Sequence, residues 1–337
     1  MRIILQFPEG LKTKAMEEAA KLEAEGHEVF VACAPCYGAC DLCLDEARHV
    51  KAEKLIHFGH AEFMKIDTGG LGGANRTANR SVAQQNVSHS ARVGLRGRSP
   101  LGLTIEYRPY FLEVDWNSTV KVLAKAGKLL GNLGAKNIAL AFPVQHLENS
   151  KRVKKELEKL GFAVLLGMGG KHVRHPGQVL GCDSGAVLNA KGADAVLYFG
   201  GGKFHPTGIP SGKPVVCADP HLGDAYDITG EILKVEKKRK GSLLAASQAK
   251  KFGILVSTKN GQINLTGARL AKKLLEKKGR KAMLLVANEL APISLANFMS
   301  FDAYVNTACP RINDDTEAYG KPIVNVADLK RLLELMV

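Results

Sequence analysis

A succession of strand, helix, strand, helix and strand recurs three times along this 337-residue chain, and no other feature narrows the possible folds as far. The first copy spans residues 1–67. Arg2 to Gln6 reads as a strand closing on Phe7-Pro8-Glu9-Gly10, after which Leu11, Ala15, Ala19 and Leu22 recur at the spacing that gathers apolar side chains on one helix face. Gly26 stops that helix. A strand over 27–32, a helix over about 42–52 and a strand over 54–60 complete the unit. Such alternation builds a parallel, Rossmann-like sheet, which binds ligands at the carboxyl ends of its strands.

Residues 137–206 repeat the plan. A strand over 137–142 again ends on Phe-Pro, a helix carries Val153, Leu157 and Leu160 up to Gly161, and strands over 162–166 and 193–200 flank a helix at 184–191. Gly181-Cys182-Asp183 falls where the first unit has Ala39-Cys40-Asp41. Cys40 precedes Phe58 by 18 positions and Cys182 precedes Phe199 by 17. Residues 251–312 hold the third copy, with strands over 252–256, 281–287 and 302–306 and a helix through Leu270 and Leu274. Its cysteine, Cys309, sits just past the last strand, still at the carboxyl end of the sheet. A terminal helix, with Asp328 as its cap, places Leu329, Leu332 and Leu333 on one face. The expected domains are 1–115, 116–229 and 230–337. Residues 68–103, with five arginines and no acidic residue, read as a surface insertion, and 230–251 as a charged helical connector.

Four of the seven cysteines crowd into C-x2-C-x3-C-x2-C: Cys33, Cys36, Cys40 and Cys43. Core thiols do not account for such crowding, and three metal readings compete. Zinc favours thiolates, but its four-cysteine sites separate two C-x2-C knuckles by roughly 12–20 residues rather than three. A locally held iron–sulfur cluster is the second reading, since Cys36, Cys40 and Cys43 match the C-x3-C-x2-C spacing by which radical S-adenosylmethionine (SAM) enzymes leave one iron open. The third draws its other ligands from the repeat. Cys40, Cys182 and Cys309, one per unit, would converge in a pseudo-threefold α/β arrangement, and three thiolates hold a central [4Fe–4S] cluster with one iron lacking a protein ligand. Cys217, in an apolar strand over 214–218, reads as core.

The chain resembles the iron–sulfur enzymes of archaeal diphthamide biosynthesis. The resemblance rests on Pro8-Glu9-Gly10-Leu11, Tyr37-Gly38-Ala39-Cys40-Asp41, Ile56-His57-Phe58-Gly59-His60, Pro176-Gly177-Gln178-Val179-Leu180-Gly181-Cys182, Gly201-Gly202-Lys203-Phe204-His205-Pro206 and Ala308-Cys309-Pro310-Arg311. It covers the chain except the insertion. What it implies is a homodimer in which Cys40, Cys182 and Cys309 hold the cluster. The cluster binds SAM, the bond between sulfur and the γ-carbon breaks, and the 3-amino-3-carboxypropyl group passes to an imidazole carbon of one histidine in translation elongation factor 2. That is the first step toward diphthamide, and it needs an electron donor that the sequence does not identify. No catalytic side chain beyond the cluster ligands is implied. Candidate SAM contacts are the polar and glycine-rich turns at the sheet ends: Glu9, Gln145, His146, Gly201, Gly202, His205, Ser257 and Lys259. His57 and His60, either side of Phe58, are expected on one face of their strand, beside the cluster or in a hydrogen-bonded structural role.

Two features depart from the family pattern, the extra cysteines Cys36 and Cys43 and the insertion. A cluster on the local triplet would turn SAM cleavage to the conventional direction, although such triplets follow the first strand of a β/α barrel and this one follows the second strand of a repeat. Quinolinate synthase, also three α/β repeats around a three-cysteine cluster, offers a dehydratase alternative. A basic structural module that binds RNA is a third. The net charge of +14 bears on that last reading, but the excess lies largely on helix faces, as at Lys272, Lys273, Lys277, Lys278 and Arg280, and over 234–240. Such runs are ordinarily solvated surface, so no dedicated nucleic-acid site is expected. No apolar stretch approaches the roughly 20 residues of a membrane span, no signal peptide precedes the first strand, and the odd cysteine count suits reduced thiols. The expected location is the cytoplasm.

Overall fold

The computed structural model describes residues 1–63, 96–98, 102–210 and 212–336. Most of the insertion expected at 68–103 lies outside the described residues. The contacts divide the chain into two compact units, Met1–Tyr110 and Phe111–Val337.

Among the described residues, the first unit contains one sheet, of β1 (Arg2–Gln6), β2 (Glu28–Val31), β3 (Lys54–Phe58), β4 (Arg96–Arg98) and β5 (Thr104–Arg108). The second unit contains two. One comprises β6 (Asn137–Ala141), β7 (Ala163–Leu165), β8 (Ala195–Phe199), β9 (Val215–Asp219) and β10 (Asp224–Asp227), and the other β11 (Lys251–Ser257), β12 (Lys281–Ala287), β13 (Ala303–Asn306) and β14 (Ile323–Asn325). Their orders are β2-β1-β3-β5-β4, β7-β6-β8-β9-β10 and β12-β11-β13-β14. In each, the first strand of the repeat lies between the second and third, and a fourth, parallel strand flanks the third. Among the described strands, only β4 and β10, at sheet edges, run antiparallel. The repeat is thus one strand longer than its sequence pattern suggests. A 2-1-3-4 order reverses direction of growth beside the first strand, which opens a crevice at the carboxyl ends of the first and third strands of each sheet.

Side-chain alternation explains why the sheets are covered on both faces. Ile138 and Leu140 of β6, with Leu197 and Phe199 of β8, pack against Val122, Leu123, Ala126 and Leu130 of the helix Trp116–Asn132 and Val153 and Leu157 of the helix Ser150–Lys159. Here α1 is Ala15–Ala24, α2 Leu44–His49, α3 Trp116–Asn132, α4 Ser150–Lys159, α5 Gly185–Asn189, α6 Thr229–Ser247 and α7 Leu265–Lys277. The intervening Ala139, Ala141, Val196 and Tyr198 face α5 and Ile232 of α6 on the other side. Each large apolar side chain buried in this way contributes roughly 1.5–3 kcal/mol. Asp115 starts α3 by accepting from the backbone N–H groups of Asn117 and Ser118 at 3.3 and 3.0 Å.

Two expectations change. The segment read as a connector is mostly α6, and it is part of two cores: Ile232 packs under the second sheet, while Leu243 and Ala246 pack with Phe252 and Ile254 of the third. Asp328 precedes the terminal helix Leu329–Leu335 but its side chain makes no capping bond, because the chain enters through a tight turn at Val326–Asp328 that carries the Leu329 N–H to the Val326 carbonyl.

Candidate metal and SAM site

In the first unit, Gln6 ends β1 in register with His57 of β3. Its amide clamps the cysteine loop: Nε2 donates to the Asp41 carbonyl at 2.7 Å, and Oε1 accepts the Cys43 N–H at 3.3 Å. The loop carrying Cys40 is therefore held at the carboxyl end of β1. His57 and His60 do meet, with His57 Nε2 3.0 Å from His60 Nδ1 and rings 5.1 Å apart. Strand alternation is not the cause, since residues three apart face opposite ways. The chain instead turns back at Gly59, whose φ is +84°. A Cβ there would lie 2.7 Å from Pro8 Cγ. Gly59→Ala should therefore cost about 1–3 kcal/mol, read as a lowered urea midpoint. Burial holds both imidazoles neutral, pushing His60 down to about 4 and His57 well below its usual value.

In the second unit, β6 passes through Phe142 into a bridge with Gln178, and the following backbone folds into a tight turn closed by two bonds between Leu180 and Asp183. Gly181 and Cys182 form its tip. Asp183 braces the turn by accepting from the N–H groups of His172 at 2.6 Å and Gly185 at 2.9 Å. The Phe204 ring fills the space where a Cβ on Gly181 would stand, 2.4 Å away.

Cys309 lies three residues beyond β13. Asn306, at the strand end, donates through Nδ2 to the Cys309 carbonyl and to Asn325 Oδ1, both at 2.8 Å, while Asn325 donates to the Pro310 carbonyl at 3.0 Å. Burial pushes the Cys309 thiol up, and the N–H and charge of Arg311 oppose it. Arg311 ties this loop to that of Cys182. It donates to Thr207 Oγ1 at 2.8 Å and to the Gly181 carbonyl at 3.5 Å, lies 4.8 Å over the Phe204 ring, and pairs with Asp314 at 2.8 Å. The guanidinium is within electrostatic range of both thiols. Sequence reading passed over Arg311, Thr207, Asn306 and Asn325. Their partners lie up to 130 positions away, so only the adjacency of Arg311 to Cys309-Pro310 carried a signal.

Exposure sorts the cysteines. Cys40, Cys182 and Cys309 are partly exposed, Cys36, Cys43 and Cys217 are buried, and Cys33 is exposed. Burial pushes Cys43 far up, reinforced by Glu46, and Cys217 up to about 12. A thiol so disposed is a poor source of the thiolate that iron requires. Cys182 and Cys309, partly exposed and beside the Arg311 guanidinium, have the donor chemistry that an iron–sulfur cluster uses, and the deeply buried Cys43 of the local triplet has less of it.

The candidate SAM contacts fall at the sheet ends, in separate groups. Glu9 follows β1 and pairs with Lys12 at 2.7 Å. Gln145 and His146 follow β6, and Gly201, Gly202 and His205 follow β8. His146 is close to Gly200, to the Phe199 ring at 5.0 Å and to His221 at 5.5 Å, while Gly201 approaches Asp219. His205 stacks on Tyr198 at 6.4 Å. Ser257 and Lys259 follow β11, where Ser257 Oγ accepts the Lys259 N–H at 3.1 Å and the Lys259 ammonium pairs with Glu289 at 3.3 Å. Asp219 and His221, at the end of β9, join the second group and were missed.

Burial, with help from His221, pushes His146 down to about 4. The unfolded chain protonates this histidine near 6.5, so between these values the folded state binds fewer protons and stability falls as pH drops. The loss across the window is on the order of 3 kcal/mol. Urea midpoints measured from pH 7 to 4.5 should fall less steeply in His146→Gln than in the wild type.

Partly exposed thiols on braced turns at the ends of parallel sheets define an α/β iron–sulfur protein rather than a zinc-knuckle protein. The chain belongs to the diphthamide synthesis protein family, whose model matches residues 7–72 and 92–336. The internal gap in the match, residues 73–91, lies within the insertion. The chain is 35% identical to the 2-(3-amino-3-carboxypropyl)histidine synthase of Pyrococcus horikoshii, over 99% of this chain and 86% of that one. It is 26% identical to the synthase of the same name from Methanocaldococcus jannaschii, over 99% and 84%. The crystal structure of Dph2 from Pyrococcus horikoshii with a 4Fe-4S cluster superposes with a TM-score of 0.80 at 32% identity, covering 99% of this chain and 86% of that one. Among the described residues, no helix is long and apolar enough to cross a membrane.

Proposed function

We propose that this chain is a 2-(3-amino-3-carboxypropyl)histidine synthase acting in the first step of diphthamide biosynthesis, with Cys40, Cys182 and Cys309 as the ligands of its [4Fe–4S] cluster. The observation that carries the ligand set is the exposure pattern, in which these three cysteines, one at the end of each sheet, are the partly exposed ones. When bound and reduced, the cluster supplies the electron that breaks the bond between sulfur and the γ-carbon of SAM. The chain must aim that bond rather than the other two carbon–sulfur bonds, which is a task of positioning. Arg311 holds the loops of Cys182 and Cys309 in fixed register and keeps positive charge beside both thiolates, favouring their ionised form. Gln145, His146, Gly201, Gly202 and His205 supply one polar wall for SAM, Ser257 and Lys259 a second, and Glu9 a further contact.

Each sheet is read as one domain, with borders near residues 115 and 229. The protein substrate is elongation factor 2, modified on one histidine, and the enzyme acts in the cytoplasm as a homodimer supplied by a separate electron donor. The surplus positive charge hastens encounter with a protein of opposite charge. The test is anaerobic incubation of the reduced holoenzyme with SAM and elongation factor 2, followed by mass spectrometry of the tryptic peptides. One aminocarboxypropyl group on one histidine is expected. An unmodified factor beside intact SAM consumption would remove elongation factor 2 as the substrate.

A further inference from the structure

Among the described residues, one group of metal-binding side chains comes together within the first unit, apart from the cysteines proposed for the cluster. A ring nitrogen from each of His57 and His60 and the sulfur of Cys36 lie within 4.8 Å of one another, and Cys36 and His57 are buried. We propose that Cys36, His57 and His60 form a binding site for a thiophilic divalent cation of the zinc class, with none of the three cluster cysteines among its ligands.

The geometry prepares the donors. Gln6 is oriented by two backbone partners, the Asp41 carbonyl on Nε2 and the Cys43 N–H on Oε1. Its Oε1 can therefore only accept from His57 Nδ1, 2.8 Å away, and this places the ring proton on Nδ1. His57 Nε2 is left with its lone pair directed away from Gln6, toward His60 Nδ1. A histidine ligand whose second nitrogen donates to a fixed carbonyl oxygen is the usual outer-shell arrangement of zinc-type sites. The hydrogen bond between the two imidazoles would account for the histidines alone. The Cys36 thiol, 3.8 Å from the Gly38 carbonyl and 4.0 Å from that of Asp41, also stands within 4.8 Å of a ring nitrogen of each histidine.

The donor set is two neutral imidazoles and one thiolate, which suits zinc and excludes calcium or magnesium, whose sites are built from oxygens. Tetrahedral zinc requires its nitrogen and sulfur ligands roughly 3.3–3.6 Å apart, so the histidine pair opens by a few tenths of an ångström and the Cys36 side chain swings inward. On binding, the Cys36 thiol releases its proton to solvent and the His60 proton moves from Nδ1 to Nε2. No electrons are transferred, and the fourth position is filled by water. The cation pins the loop that carries Cys40 to the end of β3, which is a structural role. It replaces the four-cysteine zinc reading of the sequence by a site with one cysteine and two histidines.

The test uses the full-length chain with Cys40, Cys182 and Cys309 replaced by alanine, so that its outcome does not depend on the cluster assignment. Cobalt(II) is titrated anaerobically and followed by its absorption. The expected result is one cobalt per chain, with the charge-transfer band of a thiolate ligand, displaced by zinc. Adding Cys36→Ser should abolish that band. His60→Gln should weaken cobalt binding at least tenfold, and Cys43→Ser should leave the spectrum unchanged, with far-ultraviolet circular dichroism confirming the fold of each. No cobalt uptake, a spectrum without the thiolate band, or a band surviving Cys36→Ser would overturn the site. So would loss of iron from the otherwise wild-type holoenzyme carrying Cys36→Ser, since that would return Cys36 to the cluster.

Discussion

Cys182→Ala combined with Cys309→Ala is expected to reduce iron and acid-labile sulfide to background and to abolish SAM cleavage. Cys36→Ala combined with Cys43→Ala should retain four irons per chain. The contrast follows from thiol chemistry. Iron is held by thiolates, and Cys182 and Cys309 are partly exposed and share a guanidinium neighbour, whereas Cys43 is buried next to Glu46 and resists ionisation. Loss of two of the three proposed ligands leaves too few for a cluster, so the effect is all or none. Anaerobic iron and sulfide analysis with electron paramagnetic resonance of the reduced samples distinguishes the pairs. Iron lost from the Cys36 and Cys43 pair, and kept by the other, would move the cluster to the local triplet.

Arg311→Ala should have the second largest effect. The side chain is about nine-tenths buried, at 10% exposure, and joins Asp314, Thr207, the Gly181 carbonyl and the Phe204 face in one arrangement. Removing it leaves Asp314 with Arg239 at 2.7 Å as its remaining cation and frees the two cysteine loops from each other. Leaving a buried charge uncompensated costs about 3–5 kcal/mol, and because Arg239 stays with Asp314 the loss should lie at the lower end of that range, about 3 kcal/mol. The unfolding midpoint should drop accordingly, and a chelator should strip iron from the variant at least tenfold faster. Arg311→Lys keeps the charge but not the planar fork, so it should restore part of the stability and little of the iron retention. Wild-type stability and iron retention in Arg311→Ala would show that the two loops are held by something else.

Local pattern made much of this legible. The runs at 281–287 and 137–141 are largely apolar, follow the helix-ending Gly279 and Gly134, and became β12 and β6. The shared register of Cys40 and Cys182 pointed to equivalent loops, and the structure puts each between the second strand and the following helix of its repeat. The fourth strands were harder to place: β14 has only three residues, and β9, legible as an apolar strand over 214–218, carries no pattern that ties it to the repeat. The helix α3 was overlooked although Val122, Leu123, Ala126 and Leu130 recur at helical spacing, since it lies outside the repeated unit. What local pattern cannot carry is contact between distant turns. The Gly59 turn that joins His57 to His60, the Gln6 amide that sets the cysteine loop, and the reach of Arg311 from one sheet end to another depend on which strands become neighbours.

The nucleoside released from SAM by the dithionite-reduced holoenzyme is the most direct test of the chemistry. Cleavage at the γ-carbon leaves 5′-methylthioadenosine, and chromatography of the quenched reaction should show it forming in step with SAM loss. Formation of 5′-deoxyadenosine instead would mean that the conventional carbon–sulfur bond is cut, and it would contradict the aminocarboxypropyl transfer proposed for this chain.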